Sequence, residues 1–528
     1  QLYLPSYEVV GAKWTPDFLD QFQRYRGYDM TRYLPVFAGC IVGSEEQTER
    51  FLYDFEKTLG ELLVDAYYRT ASETARRAGL GIEAEAGGPG PPTHNVPVDA
   101  LQALGAIDEM RGEFWPWRPE RKGLWVVKET ACAAHVYGHR RVHMEAFTGF
   151  YHWASGPHFL KSSADRAFCE GMNHVVWHTA SHQPPEAGQP GWVYGAGTHL
   201  TPNLIWWPMA ESFLDYLSRC SYLLQQGLFV GDVCYYYGDQ GSNFVPPKHV
   251  NPSLGLGYDY DVANREVILN RMSVRDGRVT LPDGMQYELL VLPDRDDIDL
   301  AVLRKLEQLI REGATVVGRK PVRTGGLADY LQRDQQVKEL GNQIWGACDG
   351  KSVTHRRYGQ GHVIWGPSLR EILLARNIQP DFQFSSERDD CRLDYIHRRD
   401  PSADIYFIRN MQSQPAQARA TFRVADKVPE FWFPDSGEIR PCQVYRQAGE
   451  VVHVPLSLDA DGSLFVVFRD SQRRPHLTAA AAGVEVFGTH DGRLRVASQQ
   501  NGSYPLETSD GKKLSVSIGG LPVPIELS

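Results

Sequence analysis

The sequence predicts an α/β fold whose first part is a (β/α)8 barrel. Helical and strand patterns alternate over residues 1–228, and four of the predicted strands contain or end in a glutamate. The clearest unit is a short apolar strand, Val142 to Ala146, that carries Glu145 into a loop rich in aromatic residues. Since barrel enzymes place their reacting groups where strands end, Glu145 is the first catalytic candidate.

The other predicted units follow the same plan. A helical pattern precedes the Glu145 strand, and a helix and a further strand, Asn173 to His178, follow it. A later helix, from about Pro208 to Gln226, is expected to close the barrel. Upstream, a helix that begins at the Ser44 cap ends at Gly79. The remaining predicted strands with their acids are Leu2 to Val10 with Glu8, Leu80 to Ala86 with Glu83 and Glu85, and Ala106 to Trp117 with Glu113.

This repetition is more informative than any single glutamate. One glutamate alone could be held by a neighbouring arginine or lysine, but four would each need separate neutralisation if they were only structural. A barrel needs eight strands and only five are predicted here. We therefore expect that the N-terminal part of the barrel is missing from this sequence.

The segment from His178 to Trp207 is too long and too rich in Gly, Pro, His and Trp for a plain connection, and long loops are usually functional. The spacing of His178 and His182 would suit a metal on a helix, but the surrounding prolines disfavour a helix and no HExxH motif is present. We expect sugar contacts instead. With the aromatic residues that suit the apolar faces of sugars, the candidate substrate-binding residues are Trp14, Glu83, Glu85, Trp115, Trp153, Asn173, His178, His182, Gln183 and Asn203.

Composition excludes several classes of function. A net charge of −10 argues against nucleic acid or an anionic membrane as the main partner. No signal peptide or apolar membrane-spanning run is present. Eight cysteines without CxxC spacing disfavour a zinc site or a disulfide scaffold.

Several separated segments carry a resemblance to a known family. In order they are SYEVVGAKWTPDF, RYRGYDMTRYLP, RGEFW, HMEAFTGF and GMNHVVWHTASHQP, and the similarity covers about residues 1 to 470. They resemble glycoside hydrolase family 106, the α-L-rhamnosidases. The resemblance implies a barrel, an inverting mechanism, a carbohydrate substrate and dependence on calcium.

The same resemblance implies roles for three glutamates. Glu8 matches the general acid, Glu145 the general base, and Glu113 a third functional glutamate near the ion. The chemistry is consistent, because glycoside hydrolysis needs one protonated carboxyl for the leaving group and one ionised carboxylate for water. A rhamnosidase acting on glycans would be secreted or periplasmic.

Two alternatives stay open. A retaining β-glycosidase of the barrel type also uses two glutamates on strands, and it would hold their carboxyl groups about 5–5.5 Å apart. A non-catalytic carbohydrate-binding protein with a decayed barrel would keep the aromatic residues but tolerate loss of Glu8 or Glu145.

The pattern changes beyond the barrel. Residues 229–366 alternate apolar strands with amphipathic helices and predict a small α/β domain that resembles an amidotransferase. Residues 385–474 alternate as strands of a β-sandwich. Residues 475–528 carry short strands that predict the beginning of a further β module.

Overall fold

The computed structural model divides the chain into two compact units, the first spanning Gln1–Pro208, Leu228–Gly255 and Asp259–Ile378 and the second spanning Met209–Gly227, Leu256–Tyr258 and Gln379–Ser528. The residues that the structure describes are 1–9, 11, 13–88, 96–116, 124–197, 200–240, 243, 245–246, 248, 254–470, 476–480, 484–488, 493–498 and 500–520. The end of the predicted third strand, Trp117, and residues 521–528 of the predicted last module lie outside them.

Helices occur in both units. In chain order, the α-helices of the described residues are α1 (Phe18–Arg26), α2 (Glu45–Leu63), α3 (Thr70–Arg77), α4 (Ala100–Gly105), α5 (Trp125–Tyr137), α6 (Pro157–Cys169), α7 (Ala210–Leu224), α8 (Arg265–Arg271), α9 (Leu300–Glu312), α10 (Tyr330–Trp345) and α11 (Leu369–Ala375).

Strands make up the rest of the regular structure. They are β1 (Leu2–Leu4), β2 (Ile82–Glu85), β3 (Glu109–Phe114), β4 (His143–Ala146), β5 (His174–Trp177), β6 (Leu228–Phe229), β7 (Val233–Tyr236), β8 (Tyr260–Ala263), β9 (Ser273–Arg275), β10 (Arg278–Thr280), β11 (Gln286–Tyr287), β12 (Leu289–Val291), β13 (Thr315–Val317), β14 (His355–Tyr358), β15 (Gly361–Ile364), β16 (Phe382–Ser385), β17 (Leu393–Arg399), β18 (Ala403–Asn410), β19 (Ala416–Phe422), β20 (Val428–Trp432), β21 (Ile439–Pro441), β22 (Arg446–Ala448), β23 (Val451–Leu458), β24 (Ser463–Arg469), β25 (Leu477–Ala480), β26 (Val484–Gly488), β27 (Leu494–Ser498), β28 (Gly502–Thr508) and β29 (Lys513–Ile518).

The first sheet is parallel and contains the five strands that the sequence predicts, in the chain order β1-β2-β3-β4-β5. Successive side chains of a strand point to opposite faces. One face carries the polar residues Glu83, Glu85, Glu109, Arg111, Glu113, His143, Glu145 and His174, together with Tyr3 and Val176. The other is apolar and carries Leu2, Leu4, Ile82, Ala84, Met110, Gly112, Phe114, Met144, Ala146, Val175 and Trp177. Because parallel sheets are normally apolar on both faces, the polar face marks a functional surface.

Helix α5 packs directly on the apolar face. Gly112 permits the close approach, because an added Cβ there would lie 2.4 Å from Thr130 Oγ1 and 2.7 Å from Val126 Cγ1. The same helix is paired with the next sheet through two buried contacts, Lys128 Nζ to Asp259 Oδ1 at 2.9 Å and His135 Nδ1 to Asp261 Oδ1 at 2.8 Å. Helix α5 therefore ties the two sheets of the first unit together.

That second sheet has the order β14-β15-β13-β12-β7-β8, and its strands pair in parallel except for the β14–β15 pair. It agrees with the α/β character predicted for residues 229–366. Helix α9 contributes a buried stripe to its core, composed of Val302, Leu303, Leu306, Leu309 and Ile310.

The helix predicted from Ser44 to Gly79 is present as α2, a π-helical turn at Val64–Arg69 and α3. The Ser44 hydroxyl accepts a hydrogen bond from the Gln47 backbone N–H. This bond satisfies an N–H group that has no partner within the first helical turn. The helix packs its aromatic side chains against α1 in a cluster that includes Phe18, Phe22, Phe51 and Phe55.

The second unit contains a β-sandwich of antiparallel strands. One of its sheets has the order β16-β19-β23-β22, and the other contains β21-β20-β24-β18-β17. Both contribute to a shared core, with Phe382 and Phe422 from the first and Tyr406 and Phe468 from the second. Beside it lie the β25-β28-β29 sheet and the β26–β27 pair.

One helix differs from its prediction. A helix over about residues 208–226 is expected to close the barrel, but α7 belongs to the second unit, where Tyr216 Oη and Ser463 Oγ are 2.8 Å apart. Its amphipathic pattern predicts a buried face but not the partner that covers that face.

Among the described residues, no helix combines the length and apolarity needed to cross a membrane.

Candidate active site

Three glutamates lie at the carboxyl ends of neighbouring strands. Glu85 ends β2, Glu113 is near the end of β3 and Glu145 is near the end of β4. Glu113 and Glu145 are register partners, so their side chains leave the sheet side by side. All three are less than a tenth exposed. The structure thus brings together the strand-end acids that the sequence predicts.

Arg111 contacts this group from the middle of β3. Its Nε lies 3.4 Å from Glu85 Oε1 and its NH2 group lies 3.4 Å from Glu145 Oε2. A third carboxylate, Glu83, is 4.0 Å away. Arg111 is the only lysine or arginine in the five strands of this sheet as the structure describes them. It is therefore the main positive charge that offsets the acids of the polar face.

A second group of charged and polar side chains lies closer to the amino ends of the same strands. His143 Nδ1 is 3.1 Å from Glu83 Oε1, and His143 Nε2 is 3.4 Å from Glu109 Oε2. The hydrogen bond from His143 lowers the pKa of Glu83. Glu83 is therefore ionised at neutral pH and paired with the histidine.

The acids at the carboxyl ends of β2 and β3 have raised pKa values instead. Burial and, after it, the charge of Glu145 together raise the pKa of Glu113 to about 8. Burial also raises the pKa of Glu85 well above its usual range, with additional contributions from the charges of Glu113 and Glu145. Buried acids of like charge cannot all ionise together, so protons are held in this cluster at neutral pH.

Glu145 has partners on both of its carboxylate oxygens. The Thr148 hydroxyl donates to Oε1 at 2.9 Å, and His178 Nε2 lies 3.6 Å from the same oxygen. The other oxygen, Oε2, faces Arg111.

Glu8 follows β1 and is exposed. Its Oε1 accepts a hydrogen bond of 2.6 Å from the Ser6 hydroxyl. The side chain lies against Gly88, which has a positive φ of 61° and no room for a Cβ, since one would be 2.5 Å from Glu8 Oε1. The charge of Glu8 raises the pKa of both Glu85 and Glu113, which places Glu8 at the edge of the same cluster.

The predicted tryptophans have different surroundings. Trp115 donates from Nε1 to Glu113 Oε1 at 3.0 Å and so belongs to the cluster. Trp153 is half-buried in the loop after β4, with a positive φ of 66°. Trp14 is half-exposed and packs on Phe18 of α1, with ring centroids 5.0 Å apart.

Among the predicted amides, Gln183 and Asn203 support the long loop after β5. Gln183 Oε1 accepts from the Trp192 amide at 2.9 Å and is 3.4 Å from Asn203 Nδ2. His182 is exposed, and its ring lies 6.3 Å from that of Trp192. Asn173 lies at the opposite, amino end of β5, where its amide bonds the Val142 N–H and the Arg140 carbonyl.

Sequence reasoning missed Arg111, Thr148 and His143. A signal was present, since Glu109, Arg111 and Glu113 alternate along one strand and must share a face. What the sequence does not contain is the cross-strand register that places Arg111 beside acids from β2 and β4.

A calcium site is not assembled by the residues that the structure describes. No group of three or more His, Cys, Asp or Glu side chains among them is arranged to hold a metal ion. Glu113, which the resemblance places near the ion, accepts a hydrogen bond from Trp115 and is the register partner of Glu145.

Known proteins resemble this chain. The family model for glycoside hydrolase family 106, described as α-L-rhamnosidase, matches residues 1–447. A protein of Formosa agariphila named "Putative beta-glucuronidase" is 34% identical over 491 residues, which are 91% of this chain and 39% of that protein.

Solved structures agree. A rhamnosidase from Novosphingobium sp. PP1Y has a TM-score of 0.79 at 30% identity, over 95% of this chain and 50% of that one. A GH42 β-galactosidase from G. stearothermophilus has a TM-score of 0.55 at 11% identity, over 86% of this chain and 75% of that one, and indicates only a related fold. The chain thus spans half or less of the first two relatives.

The raised pKa of Glu113 predicts a pH-dependent stability. The pKa of this carboxyl group is about 8 in the folded protein and about 4.5 in the unfolded chain, so the folded protein binds the proton more tightly. The protonated group therefore contributes its full stabilisation below pH 4.5, and this contribution is lost as the pH rises through 8. Glu113→Gln should therefore flatten the decline of the unfolding temperature between pH 6 and 9 by a few degrees. Thermal unfolding in a chelating buffer measures this without interference from metal ions. An unchanged slope would contradict the assigned pKa.

Proposed function

Because the chain belongs to glycoside hydrolase family 106, the α-L-rhamnosidases, we propose that it removes α-L-rhamnose from glycans with inversion of configuration. The chain is a glycoside hydrolase, and the resemblance stated from its motifs is confirmed. The observation that carries the proposal is the cluster of strand-end glutamates around Arg111, in which burial raises the pKa of Glu113.

We include the barrel in this proposal. The five parallel strands in chain order, with helices between them, form the repeat from which a β/α barrel is built. The likeness to the β-galactosidase fold supports it. In a closed barrel the polar face would line the interior, and the strand-end acids would surround the substrate.

Glu145 is proposed as the general base. The base must be ionised to accept a proton from water, and Arg111 and Thr148 both stabilise that form. His178 lies beside the oxygen that Thr148 bonds, so the carboxylate is held on two sides. Its orientation is then fixed before the substrate arrives, which lowers the cost of reaching the transition state.

Glu8 is proposed as the general acid. It lies at the exposed edge of the cluster, where a leaving group would depart toward solvent. The Ser6 hydroxyl donates to one of its oxygens and so holds the carboxyl group in place. In this proposal Glu8 protonates the glycosidic oxygen. In this proposal the two roles fall on opposite sides of the sugar, as inversion requires.

Glu85 and Glu113 would bind the sugar rather than react with it. Held protonated by burial, they can donate to hydroxyl oxygens, and Trp115 fixes the direction of Glu113. His178, His182, Gln183 and Asn203 on the long loop, together with Glu83, Trp14, Trp153 and Asn173, stay in the proposal as substrate-binding candidates.

The name of the Formosa relative raises the possibility of a glucuronide substrate. The charge of the site favours a neutral sugar, because five glutamates and one arginine occupy the described strands of the polar face. A uronic acid carboxylate would meet mostly like charge there. We therefore favour rhamnose, and expect the enzyme to act outside the cytoplasm or in the periplasm, where glycans are degraded.

Glu145→Gln should lower kcat on 4-nitrophenyl α-L-rhamnoside by about 10²–10⁴-fold, because an amide of equal size cannot accept the proton of water. Circular dichroism should show an unchanged fold. Glu186→Gln, in an exposed part of the loop after β5, is the matched control and should keep full activity. Activity of Glu145→Gln at the level of this control would remove Glu145 from the mechanism.

Glu8→Gln tests the role of Glu8 as general acid. Glu8→Gln should impair a rhamnosyl disaccharide much more than the 4-nitrophenyl glycoside, because nitrophenolate departs without protonation. The ratio of kcat/KM for the two substrates measures this. Equal losses on both would contradict the assignment of the general acid.

Calcium is a separate proposal. Carboxylates and sugar hydroxyls are the oxygen donors that calcium prefers, and the polar face is rich in acids. Since the described residues alone do not assemble a ligand set, no step above passes through the ion.

We expect chelation to abolish hydrolysis and added calcium to restore it, whereas magnesium, which demands a tighter octahedral shell, should not. Assays with excess chelator followed by each metal measure this. Full activity in excess chelator would refute the requirement.

A further inference from the structure

Tyr3 of β1 lies on the same polar face as the glutamates. It is the register partner of Glu83, and paired positions of neighbouring strands share a face of the sheet. The Arg111 guanidinium lies over the Tyr3 ring, with 4.8 Å between its central carbon and the ring centroid. This distance is within the range of a cation–π interaction. The two side chains meet across β2, which carries Glu83 and Glu85 on that face.

The carboxylates do not fix the orientation of Arg111 by themselves. Its contacts with Glu85 and Glu145 are 3.4 Å long, and Glu83 lies 4.0 Å away. A well-formed N–H···O hydrogen bond is about 2.7–3.2 Å long. The buried Arg111 Nε has no hydrogen-bond partner among the residues that the structure describes. Three acids on two strands therefore compete for one guanidinium group, and its orientation decides which of them it compensates.

The ring of Tyr3, and not its hydroxyl group, makes the contact with Arg111. Within the described part of the chain the hydroxyl has no hydrogen-bond partner. Burial raises the pKa of this hydroxyl, and the charge of Glu85 raises it further, so the phenol stays neutral at the pH of the reaction. A phenylalanine ring would make the same contact with the guanidinium, whereas a leucine side chain would not.

We propose that Tyr3 is a positioning residue that holds the Arg111 guanidinium against Glu145, the proposed general base. This inference rests on the proposed function and adds a residue to it. Arginine stacks on aromatic faces, and a ring that covers one face of the guanidinium limits its rotation. The NH2 group then stays beside Glu145 while Nε stays beside Glu85. Without the ring, Arg111 is free to turn toward Glu83, and Glu145 loses the positive charge next to it.

A double-mutant cycle on thermal unfolding tests the contact without reference to activity. Tyr3→Leu should lower the unfolding temperature of the wild type by about two degrees. In Arg111→Gln the same substitution should lower it by less than half as much, because the guanidinium that the ring covers is gone. Tyr3→Phe should unfold like the wild type. Equal losses in both backgrounds would show that Tyr3 acts independently of Arg111 and would overturn the inference.

Kinetics on 4-nitrophenyl α-L-rhamnoside tests the positioning. Tyr3→Leu should lower kcat about tenfold and leave KM within about twofold, because a misplaced Arg111 affects the chemical step and not the binding of the sugar. Tyr3→Phe should keep kcat within about twofold of the wild type. Tyr222→Leu, which replaces a 68% exposed tyrosine of α7, is the control and should change neither constant.

The other kinetic outcomes contradict the inference. A change in KM alone would make Tyr3 a substrate contact, and equal losses of kcat in Tyr3→Phe and Tyr3→Leu would assign the effect to the hydroxyl. A wild-type chain inactive on the rhamnoside would refute the proposed function and the part of Tyr3 in it. The unfolding cycle distinguishes that failure, since coupling between Tyr3 and Arg111 would still be measured there.

Discussion

The site depends on one constraint, the charge of a buried polar face on a parallel sheet. Glutamates on β2, β3 and β4 are brought within a few ångströms by strand register, and burial without compensation would be costly. Arg111 compensates part of that charge by reaching acids on both neighbouring strands. Protons held by Glu85 and Glu113 compensate more.

The apolar face makes this arrangement rigid. Gly112 lets α5 lie against β3, and the buried contacts of Lys128 and His135 fix the same helix to the second sheet. The polar residues therefore project from strands that are packed from behind. Beyond the ends of the strands, the loops after β4 and β5 are joined by the Gly149–Ala196 hydrogen bond.

Much of this could be predicted from local pattern. Strands, strand-end glutamates and the Ser44 cap follow from periodicity and capping rules, and the family follows from motifs around Glu8, Glu113 and Glu145. The register of neighbouring strands and the element against which a helix packs are not determined by local sequence. Arg111 was missed because its role depends on acids distant in sequence, and α7 was misplaced because an amphipathic stripe does not name its partner. Asn173 shows the same dependence on long-range contacts: its amide bonds backbone groups of residues 140 and 142 at the amino end of β5, which local pattern does not contain.

The most direct test of the account is the pH dependence of unfolding in Arg111→Gln. Without the guanidinium, the acids bind protons more tightly in the folded state, so stability should be close to wild type near pH 5 and fall increasingly below it as the pH rises to 8. Arg141→Gln, which removes an exposed arginine paired with Glu109, is the control and should follow the wild type. A constant difference in unfolding temperature between Arg111→Gln and the wild type across this range would contradict the claim that Arg111 balances the buried acids.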